Sequence, residues 1–586
     1  YHVVSKDENG DLKFDFTLLD SAILPLLEKG MTPYMCMNAI PSVLGGTGKR
    51  GENKNGMTDE QLDGYEESVR AVVQHYKDLG YTGWYWESDN EPEDQHMGNV
   101  RKICEKYGRF SKAVKAIDST AKVGGIGFRN GDVNKDASWK NTFFDYLKEN
   151  PDVPFDFVSI HVYNKTTDFS AADAYVEKLK EIVPERGGIP VIYSEWNYDW
   201  SVGEVGSVKD TNINAAYAAK RMFTALSQDN VDYVFYFTPS DAYIPGNLLG
   251  GDSGLYTIDG HRKAAANTFS FYNDMEAELI TPEEELFHNK KKMTAGFVTK
   301  NSETERVTVF AFNYTDTPND VYINIDNLPY DDSNMKVTLK EIDADSGNYC
   351  KDYLDGYRGY SITPHELPDE SVEVMDGVSS YSETVEMPAY SVIEIVLEPT
   401  DDDISEMTLQ EKHKANINLA YGRPVTANSI GKNGVVGYNS DMDDFDFSNV
   451  WEQTTETDSE QYLIQTWNPD RLTDGYRLSF DMVNNNTGTE FQSSNLGYRS
   501  EAYSSPDNNV WVTIELDKIH SIDQVNMYPT SNMLDDGQGF PVDFKIQVSV
   551  DGEKWSDAAD ISDYKKGEKV TGVQTFVFDN IDAKYV

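Results

Sequence analysis

The chain has 586 residues, which is too long for one hydrophobic core and suggests about three to five domains. It carries 100 acidic and 51 basic residues, and the net charge of −49 argues against partners such as nucleic acids or anionic membranes. Three cysteines do not make a disulfide framework, and no apolar run reaches the roughly 18 residues of a membrane span.

The first 279 residues alternate between helical and strand patterns. Amphipathic helices are predicted at 18–30, 65–80, 97–117, 139–147, 171–183, 212–226 and 262–274, and strands at 31–40, 81–86, 122–128, 155–163, 191–197 and 231–237. Short apolar strands that lead into helices predict a parallel α/β sheet. A (β/α)8 TIM barrel has eight strands, whereas six are predicted here. The sequence therefore predicts a barrel whose first two strands are missing from this sequence. An open doubly wound sheet is the alternative, but no strand leads into a Gly-x-Gly-x-x-Gly turn.

Past residue 279 the hydrophobic period changes to two, and the rest of the chain is predicted to be all-β. Val321, Ile323 and Ile325 alternate with polar residues, so 280–399 is predicted to be a β-sandwich. The acidic and polar segment 400–415 is predicted to be a linker. A second all-β domain is predicted at 416–586, and its last strand pattern runs to Val586, so we expect this domain to be incomplete.

Two glutamates stand at the ends of predicted strands. Glu91 follows the strand that ends at Trp86, and Pro92 stops further pairing; Glu195 ends the strand that begins at Val191. The C-terminal strand ends of a (β/α) barrel are where catalytic groups collect. Glycoside hydrolysis needs one protonated and one ionised carboxyl facing the same bond, and this pair fits that need. For the Asn-Glu-Pro turn alone, a solvated loop acid is the competing interpretation.

The segments around both glutamates resemble glycoside hydrolase family 39, which contains β-xylosidases and α-L-iduronidases. Asn90-Glu91-Pro92, Tyr193–Asn197 and Phe155–Tyr163 carry the similarity, which spans about residues 14–280. The resemblance implies that Glu91 is the acid/base and Glu195 the nucleophile. Family members usually have Trp before Asn-Glu-Pro, whereas this chain has Asp89, and a carboxylate there is expected to raise the pKa of the acid or to alter a sugar subsite.

The same resemblance implies a set of substrate-binding residues. Asn90 would hydrogen-bond the sugar hydroxyl next to the reacting carbon, and His161 and Tyr163 would line the cleft near the nucleophile. Trp196 and Trp200 are candidates for the floor of a sugar subsite, with core packing as the alternative. No cofactor is expected for catalysis.

The C-terminal part resembles the discoidin or coagulation-factor type C domain, whose bacterial examples form carbohydrate-binding module family 32. The segments that carry this similarity are Asn418–Ala420, Pro424–Ala427, Leu472–Gly475 and Val548–Trp555. The resemblance implies a jelly-roll, galactose-binding-like fold that often holds a structural calcium ion. Asp474 is therefore a candidate calcium ligand, and a plain surface turn is the alternative.

These observations predict a retaining glycoside hydrolase that acts on plant-type oligosaccharides or polysaccharides, with an exo-acting, β-xylosidase-like activity. An arabinosidase, an iduronidase-like enzyme or an endo-glycanase is the nearest alternative. A non-catalytic carbohydrate-binding or adhesion protein is the alternative from another class. The acidic charge and the implied carbohydrate-binding domain favour a bacterial protein that is extracellular or on the cell surface.

Overall fold

The structure is a computed structural model in which part of the chain is described. The described residues are 3–38, 40–45, 57–95, 100–129, 131–165, 170–201, 203–228, 230–241, 249–257, 260–330, 332–357, 362–410, 418–431, 434–437, 462–465, 469–473, 497–501, 503, 508–529, 539–570 and 572–586. Every structural statement below concerns these residues.

A parallel sheet occupies the N-terminal half. The chain opens with β1 (Val4–Lys6) and β2 (Leu12–Phe14), a hairpin. The sheet strands are β3 (Tyr34–Cys36), β4 (Tyr85–Glu87), β5 (Lys122–Phe128), β6 (Phe157–Tyr163), β7 (Val191–Asn197) and β8 (Val231–Tyr236). They are hydrogen-bonded in the order β3-β4-β5-β6-β7-β8. This order without a reversal is compatible with a (β/α)8 barrel, and it differs from a doubly wound sheet, in which the strand order reverses.

Helices alternate with these strands. They are α1 (Thr17–Glu28), α2 (Asp59–Asp78), α3 (Pro92–Gln95), α4 (Val100–Ile117), α5 (Ala137–Glu149), α6 (Ser170–Ile182), α7 (Asn212–Leu226) and α8 (Ala264–Asn273), with 3₁₀ turns at Ser42–Leu44, Pro184–Arg186 and Val208–Asp210. Helix α2 begins at a capping box in which Thr58 and Gln61 each accept a hydrogen bond from the other's backbone N–H. Its apolar face, with Tyr65 and Val69, is buried in the same core as Trp86 of β4.

A two-layer β-sandwich follows. Its elements are β9 (Glu278–Leu279), α9 (Glu283–Asn289), β10 (Thr294–Asn301), β11 (Arg306–Asn313), β12 (Asn319–Asp326), β13 (Asn334–Ile342), α10 (Tyr349–Leu354), β14 (Asp369–Asp376), β15 (Ser380–Met387), β16 (Ser391–Thr400) and β17 (Ser405–Leu409). Seven strands form one sheet in the order β17-β14-β13-β16-β11-β10-β9, and β12 pairs with β15. The predicted alternation on β12 is confirmed, because Ile323 and Ile325 are buried between the layers whereas Tyr322 is exposed.

Strand β16 lacks the alternation of buried and exposed residues seen on β12. Glu394, which stands between Ile393 and Ile395, is fully buried and lies 2.8 Å from the Nζ of Lys340. The reason is tertiary: Phe223 of α7 and Phe271 of α8 share one buried cluster with Phe312 and Val392 of the large sheet. Because barrel helices cover the second face of this sheet, both faces of β16 are interior.

The C-terminal residues form smaller antiparallel units. Their strands are β18 (Val425–Ala427), β19 (Gly434–Gly437), β20 (Tyr462–Gln465), β21 (Val512–Met527), β22 (Phe544–Val548), β23 (Ser556–Ile561) and β24 (Gln574–Tyr585), with a 3₁₀ turn at Pro469–Leu472. The sheet order is β18-β21-β24, and β19–β20 and β22–β23 are separate pairs. Leu516 and Ile522 of β21, Val548 of β22 and Ala583 of β24 form one buried core.

The predicted linker at 400–415 is wrong for part of its length. Residues Ser405–Leu409 form β17, which pairs antiparallel with β14 at the edge of the large sheet. All five side chains of β17 are exposed. Besides the backbone pairing, the Oγ of Ser405 accepts the N–H of Val374 over 3.2 Å, and the hydroxyl of Thr408 donates to the carbonyl oxygen of Val372 over 3.5 Å. Among the described helices, none combines the length and the apolar composition that crossing a bilayer requires.

Candidate active site

Glu91 lies just past the C-terminal end of β4, where Pro92 begins helix α3. Its backbone φ is 48°, in the left-handed region that residues with a Cβ rarely adopt. The N–H of Glu91 donates to the carbonyl oxygen of Gly127 on β5 over 2.9 Å, which supports this conformation. The Glu91 side chain is 13% exposed, so the carboxyl is largely desolvated yet open to the cleft.

Glu195 lies near the C-terminal end of β7. Between β6 and β7 the register pairs Ile160 with Tyr193 and His161 with Glu195, so one extra residue, Ser194, is inserted on β7. Such a bulge redirects a side chain next to a functional site. The hydroxyl of Tyr163 donates to Oε2 of Glu195 over 2.6 Å and fixes the orientation of this carboxylate.

His161 joins the two carboxyls. Its Nδ1 lies 2.9 Å from Oε1 of Glu91 and 3.4 Å from Oε2 of Glu195, and the side chain is 1% exposed. Burial alone lowers the pKa of His161, but the neighbouring carboxylates of Glu195, Glu91 and Glu87 outweigh it and raise the pKa above its usual value. The imidazole therefore favours its charged form, in which it neutralises part of the negative charge of the pair.

Glu91, His161 and Glu195 also have the spacing of metal ligands, since one oxygen or nitrogen atom of each lies within 4.8 Å of the others. The His161 nitrogen in this group is at hydrogen-bond distance from Glu91, which is the geometry of a shared proton. Two carboxyls bridged by an imidazole suit acid–base chemistry, so this group is the candidate catalytic site. We call these three residues and Tyr163 the catalytic cluster.

The other predicted substrate-binding residues separate into two groups. Asn90 is half-buried beside Glu91, and Trp200 is 80% exposed, so neither side chain is confined to the core. Trp196 is fully buried, and its ring packs against Tyr236 and Phe269 at 5.0 and 6.2 Å between centroids. The assignment of Trp196 to a sugar subsite is therefore wrong: successive side chains of a strand point to opposite faces, and this one points into the core away from Glu195.

Asp89 does not act on the catalytic cluster in the way that the sequence suggested. It is 1% exposed, and its Oδ2 accepts a hydrogen bond from the Nζ of Lys106 on α4 over 3.1 Å. Burial raises the pKa of Asp89 to about 6, against the opposing attraction of Lys106. This position thus holds half of a buried ion pair, directed towards α4.

Sequence reasoning missed a layer beneath the catalytic cluster. Glu87 on β4 is buried and accepts a short hydrogen bond from the hydroxyl of Ser159 on β6. Burial raises the pKa of Glu87 to about 7. The available signal was a glutamate inside an otherwise apolar strand, because a carboxyl is rarely buried without a partner. The predicted calcium ligand Asp474 lies outside the described residues.

Two protein-family profiles match this chain. A sequence profile of glycosyl hydrolases family 39 matches residues 2–361, more than half of the chain. The chain belongs to glycosyl hydrolases family 39. It is therefore a glycoside hydrolase, and the match extends beyond the predicted barrel into the β-sandwich. A second profile, of NedA-like galactose-binding domains, matches residues 482–586, within the predicted type C domain.

Individual relatives are distant. The β-xylosidase of Caldicellulosiruptor saccharolyticus is 26% identical over 366 residues, covering 58% of this chain and 70% of that protein. The β-xylosidase of Geobacillus stearothermophilus is 24% identical over 317 residues, covering 48% and 61%.

Two solved structures show the same fold. A family 39 enzyme from Xanthomonas axonopodis pv. citri superposes with a TM-score of 0.55 at 17% identity, covering 68% of this chain and 85% of that one. A monomeric β-xylosidase from Caulobacter crescentus gives a TM-score of 0.53 at 18% identity, covering 68% and 87%. At these identities the likeness concerns the fold.

Proposed function

We propose that this family 39 member is a retaining glycosidase that releases β-linked xylose, or a similar plant-type sugar, from the end of an oligosaccharide. The observation that carries the proposal is the separation of the catalytic carboxyls, whose nearest oxygens lie within 4.8 Å of each other. Retaining enzymes place their carboxyls about 5–5.5 Å apart, whereas inverting enzymes leave roughly 6.5–9.5 Å for a water molecule. The short separation favours direct attack by one carboxylate.

The contacts suggest a role for each group. Glu195, oriented by the hydroxyl of Tyr163, attacks the anomeric carbon as Glu91 gives its proton to the leaving oxygen. A covalent glycosyl ester on Glu195 results, and the alcohol departs. Glu91 then takes a proton from a water molecule, whose oxygen attacks the same carbon and releases Glu195. His161 contacts both carboxyls and limits their repulsion when both are ionised.

The relatives support xylose as the sugar, since both curated proteins above are named β-xylosidases. Their low identity keeps an arabinosidase, an iduronidase-like enzyme and an endo-glycanase as alternatives. A panel of 4-nitrophenyl glycosides and xylo-oligosaccharides separates these activities. The expected result is fastest turnover of the β-xyloside, with xylose as the first product from an oligosaccharide. Preference for another glycoside would refute the proposed sugar specificity and would not affect the proposed retaining mechanism.

The mechanism is tested on the full chain with Glu195→Ala. We expect turnover to fall by at least about 10³-fold and azide to restore part of it by attacking from the vacated side, giving a glycosyl azide of inverted configuration. Glu181→Ala, an exposed carboxylate on α6, is the matched control and retains full activity. Proton NMR of the first sugar that the wild-type enzyme releases gives the decisive measurement: inverted configuration of that sugar would show that Glu195 is not the nucleophile.

For the C-terminal domain we propose glycan binding outside the catalytic cleft, supported by the match to galactose-binding domains. Retention of the full-length Glu195→Ala variant on immobilised galactosides, with competition by free galactose, tests this binding. Absence of retention on a broad glycan array would mean that the domain is only a spacer.

We further propose an extracellular or cell-surface location in a bacterium, which the net charge of −49 favours. Fractionation of the producing cells tests that location.

A further inference from the structure

The acid/base Glu91 is held by its backbone from a neighbouring strand. Its N–H donates to the carbonyl oxygen of Gly127, and its φ of 48° is one that a glutamate adopts only when its surroundings impose it. The groups that hold the backbone of Gly127 in place therefore also hold the orientation of the Glu91 side chain.

Gly127 is fixed by a buried hydroxyl. Its N–H donates to the Oγ of Ser159 over 2.7 Å, and the same hydroxyl donates its proton to the carboxyl of Glu87. A hydroxyl has one proton and two lone pairs, so the carboxyl of Glu87 decides which way the Ser159 proton points. With the proton directed to Glu87, a lone pair remains for the N–H of Gly127.

The surroundings leave this chain of bonds little freedom. Glu87 is 3% exposed and Ser159 is fully buried. A Cβ on Gly127 would stand 3.2 Å from Oε1 of Glu87 and 3.2 Å from Nε2 of His161. Gly127 itself has a φ of 63°, so both space and backbone conformation require glycine here.

We propose that Glu87 and Ser159 are positioning residues for the general acid, acting through Gly127 on the backbone of Glu91. In this role neither side chain needs to contact the substrate or the reacting atoms. The inference rests on the proposed role of Glu91 as acid/base and extends it to the residues that aim its carboxyl.

Incorrect positioning of the general acid Glu91 would have a recognisable effect on the kinetics. Leaving groups that are poor need protonation in the transition state, whereas a dinitrophenolate leaves without it. Loss of positioning should therefore slow hydrolysis of a phenyl glycoside far more than hydrolysis of the 2,4-dinitrophenyl glycoside. A general loss of stability or of folded protein would slow both equally.

The test uses full-length Ser159→Ala and Glu87→Leu, compared with Glu87→Gln. In Ser159→Ala and Glu87→Leu we expect kcat/KM for the phenyl glycoside to fall at least about tenfold more than for the dinitrophenyl glycoside. Glu87→Gln keeps an oxygen that accepts from Ser159, so its ratio should stay within about threefold of the wild-type value. Ser111→Ala is the control and should leave the ratio unchanged, because the hydroxyl of this buried serine of α4 donates within its own helix, to the carbonyl oxygen of Gly108.

A ratio unchanged in folded Ser159→Ala would overturn the proposal. A crystal structure of Ser159→Ala provides a second arm that does not depend on activity. We expect the Glu91 N–H to lose its hydrogen bond to Gly127, or Glu91 to leave the left-handed region; an unaltered backbone at both residues would equally overturn it. If the wild-type enzyme hydrolyses no aryl glycoside, the proposed function fails and this structural arm alone decides the inference.

Discussion

Glu93 illustrates how strongly burial changes the pKa of a single carboxyl near the candidate active site. It is fully buried on α3, and its Oε1 accepts the backbone N–H of Arg129 over 2.6 Å. No described residue donates a hydrogen bond to its Oε2. Burial raises the pKa of Glu93 from 4.5 to about 7, so the neutral acid is the favoured form near neutral pH. Ionisation of this side chain therefore opposes folding.

The sign of the resulting pH dependence follows from linkage. Because the folded pKa lies above the unfolded one, the stabilisation is complete below pH 4.5 and is lost as the pH rises through about 7. In Glu93→Gln, which cannot ionise, we expect the loss in free energy of unfolding between pH 4.5 and pH 8 to shrink by about 3 kcal/mol. Urea unfolding at several pH values measures it, and an unchanged slope contradicts the prediction. Glu177→Gln, an exposed acid on α6, is the control.

At the scale of elements, α4 and the loop after β4 are joined by the buried pair Lys106 and Asp89. The Nζ of Lys106 also donates to the carbonyl oxygen of Ser88 over 3.0 Å and, through a short hydrogen bond, to that of Asn38. It lies 4.7 Å from the centroid of the Tyr65 ring on α2. A single ammonium group thus connects α2 and α4 with the segments that follow β3 and β4. The segment after β4 carries Glu91.

Lys106→Met should leave the Asp89 carboxylate buried without its cation. We expect a loss of roughly 3–5 kcal/mol in the free energy of unfolding at pH 8. The loss should be smaller at pH 5, because Asp89, with a pKa of about 6 in the wild type, is then mostly protonated. Asp89→Asn combined with Lys106→Met should recover much of the stability, and a purely additive double variant would show that the two side chains do not interact.

At the scale of the whole molecule, the barrel sheet and the β-sandwich share a hydrophobic junction. Phe312 of β11 is fully buried with its ring 5.4 Å from that of Phe223 on α7. The side chain of Asn212, at the start of α7, donates to the carbonyl oxygen of Tyr390 over 2.9 Å. Helix α7 follows β7, the strand of Glu195, so the sandwich supports an element next to the candidate active site.

Phe312→Ala should therefore destabilise both units together. We expect a loss of about 3–5 kcal/mol and a lower melting temperature in tryptophan fluorescence. Residues 280–399 contain no tryptophan, so this signal does not come from the sandwich itself. Tyr322→Ala, a 70% exposed aromatic in the same sandwich, is the control, with an expected change within about 0.5 kcal/mol. A barrel transition unaffected by Phe312→Ala would mean that the two units unfold independently.

The sequence by itself determined the order of elements and the identity of the carboxyl pair. Strand and helix periods are local properties, and a glutamate at the end of an apolar strand is visible in the residues alone, as at Glu91 and Glu195. The six parallel strands lie where those periods predicted them, although β3 and β4 are only three residues long in the structure. The edge strand β17 was missed because it lies in a segment whose acidic and polar composition is typical of a linker.

Only the tertiary structure decided which side chains meet. Trp196 is adjacent to Glu195 in sequence, yet it faces the opposite side of the sheet and belongs to the core. Asp89 is two residues from Glu91 in sequence, but its side chain is directed to Lys106. The positioning role proposed for Glu87 and Ser159 depends on a hydrogen bond between two residues that are 72 positions apart in the sequence. Burial and hydrogen bonding depend on what surrounds a residue in space, and a single sequence records only its neighbours along the chain.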